Sequence, residues 1–221
     1  QDILAGLTPG LIESDCEKTL KRLGLETIDL FNAHVDDRNT PVEETLEAIR
    51  RLVQAGKVRH VGASNFSARP QEDSRCATQA NDWPAYCCVQ QRYTYLRPRP
   101  GAGFDPQMAV NDDLLDFVRT QGTTLLAYSV LLSGAYTRPE RAVADQYAGT
   151  DTDIRLVTLR DVAQEVNASP NQIILAWMQQ SDPPVLPLIA ASTSQQLQEN
   201  IDALDITLSD DQMERLNTAG G

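Results

Sequence analysis

Two short β-type segments separated by an amphipathic helix constrain this chain more than any other feature. The first segment is Ile28–His34 and the second is Val58–Asn65. The helix between them carries apolar residues at helical spacing and ends near Gly56. A strand, a helix and a second strand in this order form a βαβ unit with parallel strands. Because chemistry in such units lies where the strands end, the polar side chains at these ends are candidates for function.

The same alternation continues to the C-terminus. Further strands are predicted at Cys87–Tyr93, Thr123–Tyr128 and Val185–Ile189, with amphipathic helices between them. A polar segment over Ser67–Asp82 is predicted to hold one more helix. Since no hairpin signals separate the strands, the five strands predict a parallel sheet covered by helices.

Local signals predict where several elements begin and end. Gly24 follows a helix predicted over Leu11–Leu23 and is expected to close it in the left-handed conformation. The run Thr40–Glu43 predicts a helix start with a threonine N-cap, a proline at the first helical position and a capping box. The long stretch Leu131–Ile154 has no clear periodicity, which is typical of a functional loop.

Two arrangements suit a parallel sheet, an open doubly wound sheet and a closed (β/α)8 TIM barrel. No Gly-x-Gly-x-x-Gly follows any strand, so an open Rossmann-type fold lacks its phosphate-binding turn. A barrel needs eight strands, and three of them would have to precede residue 1. With no internal boundary in view, residues 1–221 are predicted to form one N-terminally incomplete barrel domain.

Composition excludes several classes of partner. The formal net charge of −12 disfavours nucleic acid and an anionic membrane surface. No apolar run approaches the roughly 18 residues of a membrane span. With two histidines and no CxxC spacing, no metal site is expected. The four cysteines are interpreted as buried thiols in a reducing cytoplasm rather than as disulfides: Cys16, Cys76, Cys87 and Cys88.

Every predicted strand delivers a hydrogen-bonding side chain at its C-terminal end. Any one of these residues alone is more typical of a structural role, but agreement across five strand ends predicts a site on one rim. Serine and asparagine can hold a carboxamide, tyrosine can stack on a flat ring, and histidine can donate to a carbonyl oxygen. The strand-end residues are His34, Ser64, Asn65, Gln90, Tyr93, Tyr128, Ser129 and Ser192.

Several longer motifs surround these positions and occur in one order and spacing from about residue 10 to the C-terminus. They are Lys21–Leu25, Ile28–Leu30 with His34, Thr40–Leu46, Ala55–Arg59, Gly62–Phe66, Gln90 with Tyr93, Ala127–Ser129 and Gln196–Asn200. In these motifs the chain closely resembles the aldo-keto reductase family. The resemblance implies a TIM barrel, of which this chain encodes only strands 4–8, with NADP or NAD bound across the rim.

The resemblance also implies a role for individual residues. His34 corresponds to the histidine that orients the substrate carbonyl. Ser64, Asn65 and Gln90 correspond to residues that hold the nicotinamide carboxamide, and Tyr128 to the tyrosine stacked on its ring. The remaining cofactor-binding residues fall near the pyrophosphate (Ser129, Leu131 and Ser133) and near the adenosine end (Ser192, Gln196 and Asn200).

The chain departs from the family pattern in two places. Gln196 stands where an arginine is frequent, which weakens the expected preference for the 2′-phosphate of NADP and makes NAD plausible. The catalytic Asp, Tyr and Lys of the family precede the matched region. The three lysines here, Lys18, Lys21 and Lys57, do not suit that role, and no tyrosine precedes Tyr86.

Two explanations and several functions therefore stay open. An N-terminal segment absent from this sequence is favoured over a natural truncation, since the chain begins with Gln1 and five strands would leave two open sheet edges. The first functional hypothesis is NAD(P)H-dependent reduction of a small aldehyde or ketone by the complete protein. The alternatives are a catalytically silent, dinucleotide-binding regulatory protein and a truncated chain without reductase activity. The pattern specifies neither a substrate nor an oligomeric state.

Overall fold

The computed structural model of the protein describes residues 6–138 and 140–221. Within these residues, strands and helices alternate along the chain, which confirms the predicted α/β class. The strands are β1 (Ile28–Ala33), β2 (Val58–Ser64), β3 (Tyr86–Arg92), β4 (Thr124–Tyr128) and β5 (Val185–Pro187). The helices are α1 (Pro9–Leu23), α2 (Val42–Gln54), α3 (Ala68–Asn81), α4 (Asp112–Gln121), α5 (Thr150–Glu165), α6 (Pro170–Gln180), α7 (Ser194–Asp202) and α8 (Asp210–Thr218). The assignment of these strands as the fourth to eighth of a barrel stays a prediction.

The predicted end of α1 at Gly24 is confirmed, and α4 begins and ends with local signals of the same kind. Gly24 has φ 67° and its backbone N–H donates to the carbonyl oxygen of Leu20, which closes α1. Asn111 caps α4, since its side chain accepts a hydrogen bond from the backbone N–H of Leu114 at 3.1 Å. Gly122, at φ 66°, ends the same helix. These ends need no long-range contact, which is why a short sequence window predicts them.

The predicted capping box of α2 is wrong. The N-cap of that helix is Pro41, and no side chain caps it. The hydroxyl of Thr40 donates instead to Asp37 Oδ2 at 2.7 Å, so it is not available to the helix end. A carboxylate is the stronger acceptor, and it draws the threonine away from the local motif.

The prediction of an irregular loop over Leu131–Ile154 is only partly correct. One-turn 3-10 segments occur at Leu132–Gly134 and Asp145–Tyr147, and α5 begins at Thr150. The first turn of α5 contains acidic residues, which are stabilised by the positive end of the helix dipole.

The chain divides into two compact units. The first comprises the described residues up to Gln91 together with Pro106–Leu125. In it, β1, β2 and β3 are parallel neighbours in chain order, with Ile28 opposite Val58 and Ser64 opposite Gln90. Its core packs α1 and α2 against the sheet through Ile12, Cys16, Leu46, Ile49 and Val61. The parallel register places the C-terminal ends of the three strands at one edge.

The second unit comprises Arg92–Asp105 and Leu126–Gly221. Helix α6 forms its centre, since every residue from Ile173 to Met178 is buried. Strand β4 and the residues after β5 are neighbours, because the backbone N–H of Leu188 donates to the carbonyl oxygen of Ala127 at 2.7 Å. The prediction of a single domain over 1–221 stays a prediction.

The four cysteines are free thiols, as predicted. Cys16 and Cys88 are buried, whereas Cys76 and Cys87 are exposed, so the prediction of buried thiols is wrong for the latter two. Burial, together with neighbouring Cys87, raises the pKa of Cys88 to about 12. Because adjacent strand residues point to opposite faces, only one of the two neighbouring cysteines can enter the core.

The carboxylate of Asp37 links the segment before α1 to the segment after β1. It accepts hydrogen bonds from the backbone N–H of Leu7 at 2.8 Å and of Asn39 at 2.9 Å, besides the Thr40 hydroxyl. These bonds, that from Leu7 first, lower the pKa of Asp37 below its ordinary value. A carboxyl whose folded pKa lies below its unfolded pKa stabilises the fold above the unfolded value, about 3.9. This stability is lost as the pH falls through the folded pKa.

We expect Asp37→Asn to lower the free energy of unfolding at neutral pH by about 1–3 kcal/mol, because a neutral amide is a weaker acceptor for these three donors. The difference from wild type should shrink below about pH 4, where the wild-type carboxyl is itself protonated. Urea denaturation at several pH values measures both effects. Asp161→Asn, at an exposed position on α5, is the control and should change little. An equal loss of stability at all pH values would contradict the assignment.

Candidate functional site

In the first unit, four of the sequence-predicted residues meet in one hydrogen-bond network. The side-chain Nδ2 of Asn65 donates to the carbonyl oxygen of His34 at 3.0 Å and to Ser64 Oγ at 3.2 Å. The backbone N–H of Asn65 donates to the carbonyl oxygen of Gln90 at 3.1 Å. The ends of β1, β2 and β3 are therefore joined through a single asparagine.

This asparagine is held by an unusual backbone conformation and by a residue that sequence reasoning missed. Asn65 has φ 58°, which few residues other than glycine adopt, although asparagine is among the most tolerant. Its Oδ1 accepts a hydrogen bond from the backbone N–H of Met108 at 3.1 Å. Ser64 and Asn65 are both buried, so the amide is fixed in place. No local pattern could have indicated Met108, because it is far from Asn65 in sequence.

His34 and Gln90 differ from this buried pair in exposure. His34 is exposed and Gln90 is half-buried, so each is accessible to a ligand. The neighbouring Gln91 is buried and donates through Nε2 to the carbonyl oxygen of Phe66 at 3.1 Å. One glutamine of the pair thus faces the protein interior and supports the backbone next to Asn65.

A cavity of about 1070 Å³ in the first unit lies beside the end of β1. His34 and Phe31 line it together with residues of α1 and the segment after β1. Within it Lys18 forms an ion pair with Asp15 at 3.1 Å. Burial raises the pKa of Asp36, against the opposing effect of Arg38. Sequence reasoning did not predict this cavity, because it depends on how α1 packs against β1.

In the second unit, the predicted pyrophosphate residues lie on one tight turn directly after β4. Ser129, Leu132 and Ser133 all have positive φ, at 58°, 45° and 56°. The turn is closed by hydrogen bonds from the N–H of Leu132 to the carbonyl oxygen of Ser129 and from the N–H of Gly134 to that of Leu131. Left-handed non-glycine residues cost free energy and concentrate at functional sites. Tyr128, the last residue of β4, leads directly into this turn.

Arg92 is a residue beside this turn that sequence reasoning missed. Its Nη1 donates to Ser129 Oγ at 3.2 Å, and its Nε donates to the hydroxyl of Tyr147 at 3.0 Å. Its guanidinium carbon lies 4.7 Å from the ring centroid of Phe104. A signal was available in the sequence, since Arg92 follows Gln90 by two residues at the end of a strand.

The predicted adenosine-end residues lie around the start of α7. The backbone N–H of Ser192 donates to Gln196 Oε1 at 2.9 Å, and the backbone N–H of Gln196 donates to Thr193 Oγ1 at 3.2 Å. Asn200, one turn further on, is buried. No lysine or arginine occurs between Asp161 and Glu214 in the sequence. The start of α7 therefore offers hydroxyl, amide and backbone groups from its own segment, but no cation.

Two kinds of feature are absent from residues 6–138 and 140–221. None of the helices in those residues is long and apolar enough to span a bilayer. Among the same residues, no three or more His, Cys, Asp or Glu side chains group together as metal ligands would.

Comparisons with known proteins point to one family. The sequence model of the Aldo/keto reductase family matches residues 1–220, so the similarity begins at residue 1 and not at about residue 10 as predicted. Aldo-keto reductase str7 of Strobilurus tenacellus is 28% identical over 219 residues, which cover 93% of this chain and 61% of that protein. L-glyceraldehyde 3-phosphate reductase of Escherichia coli K12 is 29% identical, covering 86% and 57%.

Two further comparisons extend this result. Aldo-keto reductase yakc [NADP(+)] of Schizosaccharomyces pombe is 28% identical and covers 96% of this chain and 62% of its own length. The crystal structure of the thermostable aldo-keto reductase Tm1743 with the inhibitor epalrestat superposes with a TM-score of 0.76 at 28% identity. It covers 96% of this chain and 67% of that chain. This chain spans about three-fifths of the length of the curated relatives it matches.

Proposed function

Because this chain belongs to the aldo/keto reductase family, we propose that the whole protein reduces an aldehyde or a ketone with NADPH or NADH. The network that joins His34, Ser64, Asn65 and Gln90 at the strand ends is the single observation that supports this most directly. It holds the Ser64 hydroxyl and the half-buried Gln90 amide at neighbouring strand ends, and these groups can supply both donors and acceptors to a nicotinamide carboxamide. The proposed partner is a small-molecule carbonyl compound.

A bound nicotinamide dinucleotide supplies the hydride that such a reduction needs. In this proposal the residues of the protein position the cofactor and the substrate relative to each other. Ser64, Asn65 and Gln90 hold the carboxamide end, and the rigid asparagine fixes the orientation. His34, exposed at the end of β1, donates a hydrogen bond to the substrate carbonyl oxygen and orients it.

In the second unit, Tyr128 is proposed to stack on the nicotinamide ring and the turn Ser129–Gly134 to hold the diphosphate. Backbone N–H groups and hydroxyls in a left-handed turn form a concave surface that suits an anion. Ser192, Gln196 and Asn200 are proposed to hold the adenosine end at the start of α7, where the helix dipole favours negative charge.

NADPH oxidation by the full-length protein, followed by absorbance with a panel of aldehydes and ketones, tests the proposed activity. The expected result is substrate-dependent oxidation of NADPH or NADH. Dinucleotide binding without turnover on any carbonyl compound would reject it and support the alternative of a regulatory binding protein.

The choice between NADPH and NADH is proposed to depend on Gln196. The name of the S. pombe relative includes NADP(+), which favours NADPH. In contrast, the segment that contains the start of α7 has no lysine or arginine that could pair with a 2′-phosphate. We expect Gln196→Arg to raise the preference for NADPH over NADH by about tenfold to a hundredfold, as hydrogen bonds to charged groups contribute about 1.5–3 kcal/mol. The ratio of kcat/KM values, or of dissociation constants, measures it.

Gln198→Arg is the matched control, because Gln198 is exposed on the same helix and bonds Asp202. It adds the same charge two residues away. An equal shift in both variants would mean that net charge, and not Gln196 itself, determines the preference.

A further inference from the structure

A chain of buried hydrogen bonds in the second unit joins the segment after β3 to the turn after β4. The hydroxyl of Thr94 lies 2.6 Å from the carbonyl oxygen of Val130 and 2.6 Å from the hydroxyl of Tyr136. The backbone N–H of Leu96 donates to the same Tyr136 hydroxyl at 3.2 Å. All four residues are buried. Thr94 thus bridges Val130, which lies inside the turn, and Tyr136, which lies two residues after it.

The direction of each hydrogen bond in this chain follows from the groups that form it. A carbonyl oxygen only accepts, so Thr94 gives its single hydroxyl hydrogen to Val130. The hydroxyl of Tyr136 must then donate to Thr94 Oγ1 and accept from the N–H of Leu96. Burial raises the pKa of the Tyr136 phenol, so at neutral pH it keeps the hydrogen that it donates. Only one arrangement of hydrogens satisfies all three bonds.

The turn after β4 needs support from outside its own residues. Ser129, Leu132 and Ser133 are left-handed, a conformation that costs free energy in residues other than glycine and persists only when neighbouring structure holds it. The hydrogen bonds inside the turn, donated by the N–H groups of Leu132 and Gly134, are short-range. The bridge through Thr94 adds bonds across 36 and 42 residues of sequence. It therefore fixes the turn to the segment after β3, which the internal bonds do not.

We propose that Thr94 and Tyr136 are positioning residues for dinucleotide binding. Their hydroxyls hold the turn Ser129–Gly134 in its binding conformation before the ligand arrives, so the ligand does not have to order it. When a site is formed in only a fraction of the molecules, the apparent affinity for its ligand falls by that fraction. The proposal rests on the proposed function, which assigns the dinucleotide to this turn.

Calorimetric titration of the full-length protein with NADPH or NADH, whichever binds wild type more tightly, tests the proposal. Thr94→Val keeps the shape of the side chain but leaves the Val130 carbonyl without its donor, and we expect the dissociation constant to rise by about fivefold to fiftyfold. Tyr136→Phe leaves the bond from Thr94 to Val130 in place, so the rise should be smaller, about twofold to tenfold. The double variant should bind only about as weakly as Thr94→Val alone, since both substitutions break one chain.

Three readouts separate positioning from general stabilisation. Thr94→Ser restores the hydroxyl and should bind within about twofold of wild type. Titrations well below the melting temperature of each variant keep the unfolded fraction negligible, so lost stability alone does not change the dissociation constant. Hydrogen exchange over residues 129–136, measured by mass spectrometry, should be faster in free Thr94→Val than in free wild type, and saturating dinucleotide should restore the protection.

Tyr95→Phe is the matched control, because it also removes a buried tyrosine hydroxyl from the second unit. The Tyr95 hydroxyl has no hydrogen-bond partner among the described residues, so its removal breaks no bond there. Its dissociation constant should stay within about twofold of wild type. The proposal is overturned if folded Thr94→Val binds as tightly as wild type, or if Tyr95→Phe weakens binding equally. If Thr94→Val does not fold, Tyr136→Phe carries the same test.

Failure of the positioning role and failure of the proposed function give different results. Equal binding by wild type and Thr94→Val rejects the positioning role alone. A wild type that binds dinucleotide but reduces no aldehyde or ketone rejects the proposed reduction, while the dissociation constants of the variants still decide the positioning role. A wild type that binds no dinucleotide rejects both.

Discussion

Gly62→Ala is expected to lower the free energy of unfolding by about 1–3 kcal/mol or more, since an added methyl group has no space in the middle of β2. A Cβ atom there would lie 2.1 Å from Asn32 Oδ1 and 2.5 Å from Cys88 Sγ. Asn32 belongs to β1 and Cys88 to β3, both of which pair with β2. The two side chains contact each other across Gly62, with Cys88 Sγ 3.8 Å from Asn32 Oδ1, so both must turn away to admit the methyl group. Urea or thermal denaturation of the full-length protein measures the loss.

Gly103→Ala is the matched control. A Cβ atom at Gly103 would meet no atom within 4 Å, so this variant should be as stable as wild type. Gly62 also precedes Ser64 by two residues, and a shift of β2 should therefore weaken dinucleotide binding in the Gly62 variant. Unchanged stability of Gly62→Ala would contradict this expectation and show that the side chains of Asn32 and Cys88 can turn away at little cost.

His34→Gln is expected to lower kcat for carbonyl reduction by about a hundredfold or more, the range typical of a lost hydrogen bond to a reacting oxygen. Glutamine keeps a polar side chain but cannot place a donor where the imidazole does. Affinity for the dinucleotide should change little, because Asn65 bonds the backbone carbonyl of His34 and not its imidazole. Steady-state kinetics with the best carbonyl substrate, together with a separate titration of the cofactor, measures the two effects.

His60→Gln provides the comparison, since His60 is the only other histidine and is exposed on β2. It should reduce substrate at the wild-type rate. If both variants retain full activity, His34 does not orient the substrate carbonyl. If His34→Gln loses dinucleotide binding as well, the loss reflects damage to the strand end and not the role of the imidazole.

Short-range signals predicted most of the secondary structure. Gly24 ends α1 because a left-handed residue without a side chain lets its N–H bond the carbonyl oxygen of Leu20, and Gly122 ends α4 in the same conformation. Thr40 shows the limit of such signals. Its hydroxyl bonds Asp37, whose carboxylate also accepts from Leu7, and that arrangement exists only after the segment before α1 has packed beside the end of β1.

The candidate site likewise contains some residues that the sequence indicates and others that only the tertiary structure reveals. Ser64, Asn65 and Gln90 could be selected from the sequence, because hydrogen-bonding side chains at the ends of parallel strands share one edge of a sheet. Met108 could not be selected, since it meets Asn65 through a backbone N–H that carries no signal in the residue type. Arg92 has an informative residue type, but its importance depends on Phe104 and Tyr147, which come from two distant segments.

The sequence by itself determined the α/β class, most of the element boundaries and the types of polar group at the strand ends. These properties follow from periodicity and capping, which act over a few residues. Only the tertiary structure decided that Asn65 joins three strand ends and that Arg92 is held beside Ser129. The reason is physical: the bonds from Asn65 to His34 and Gln90, and from Arg92 to Ser129, join segments 25 or more residues apart in sequence. They form only when burial of the surrounding cores brings those segments within about 3 Å.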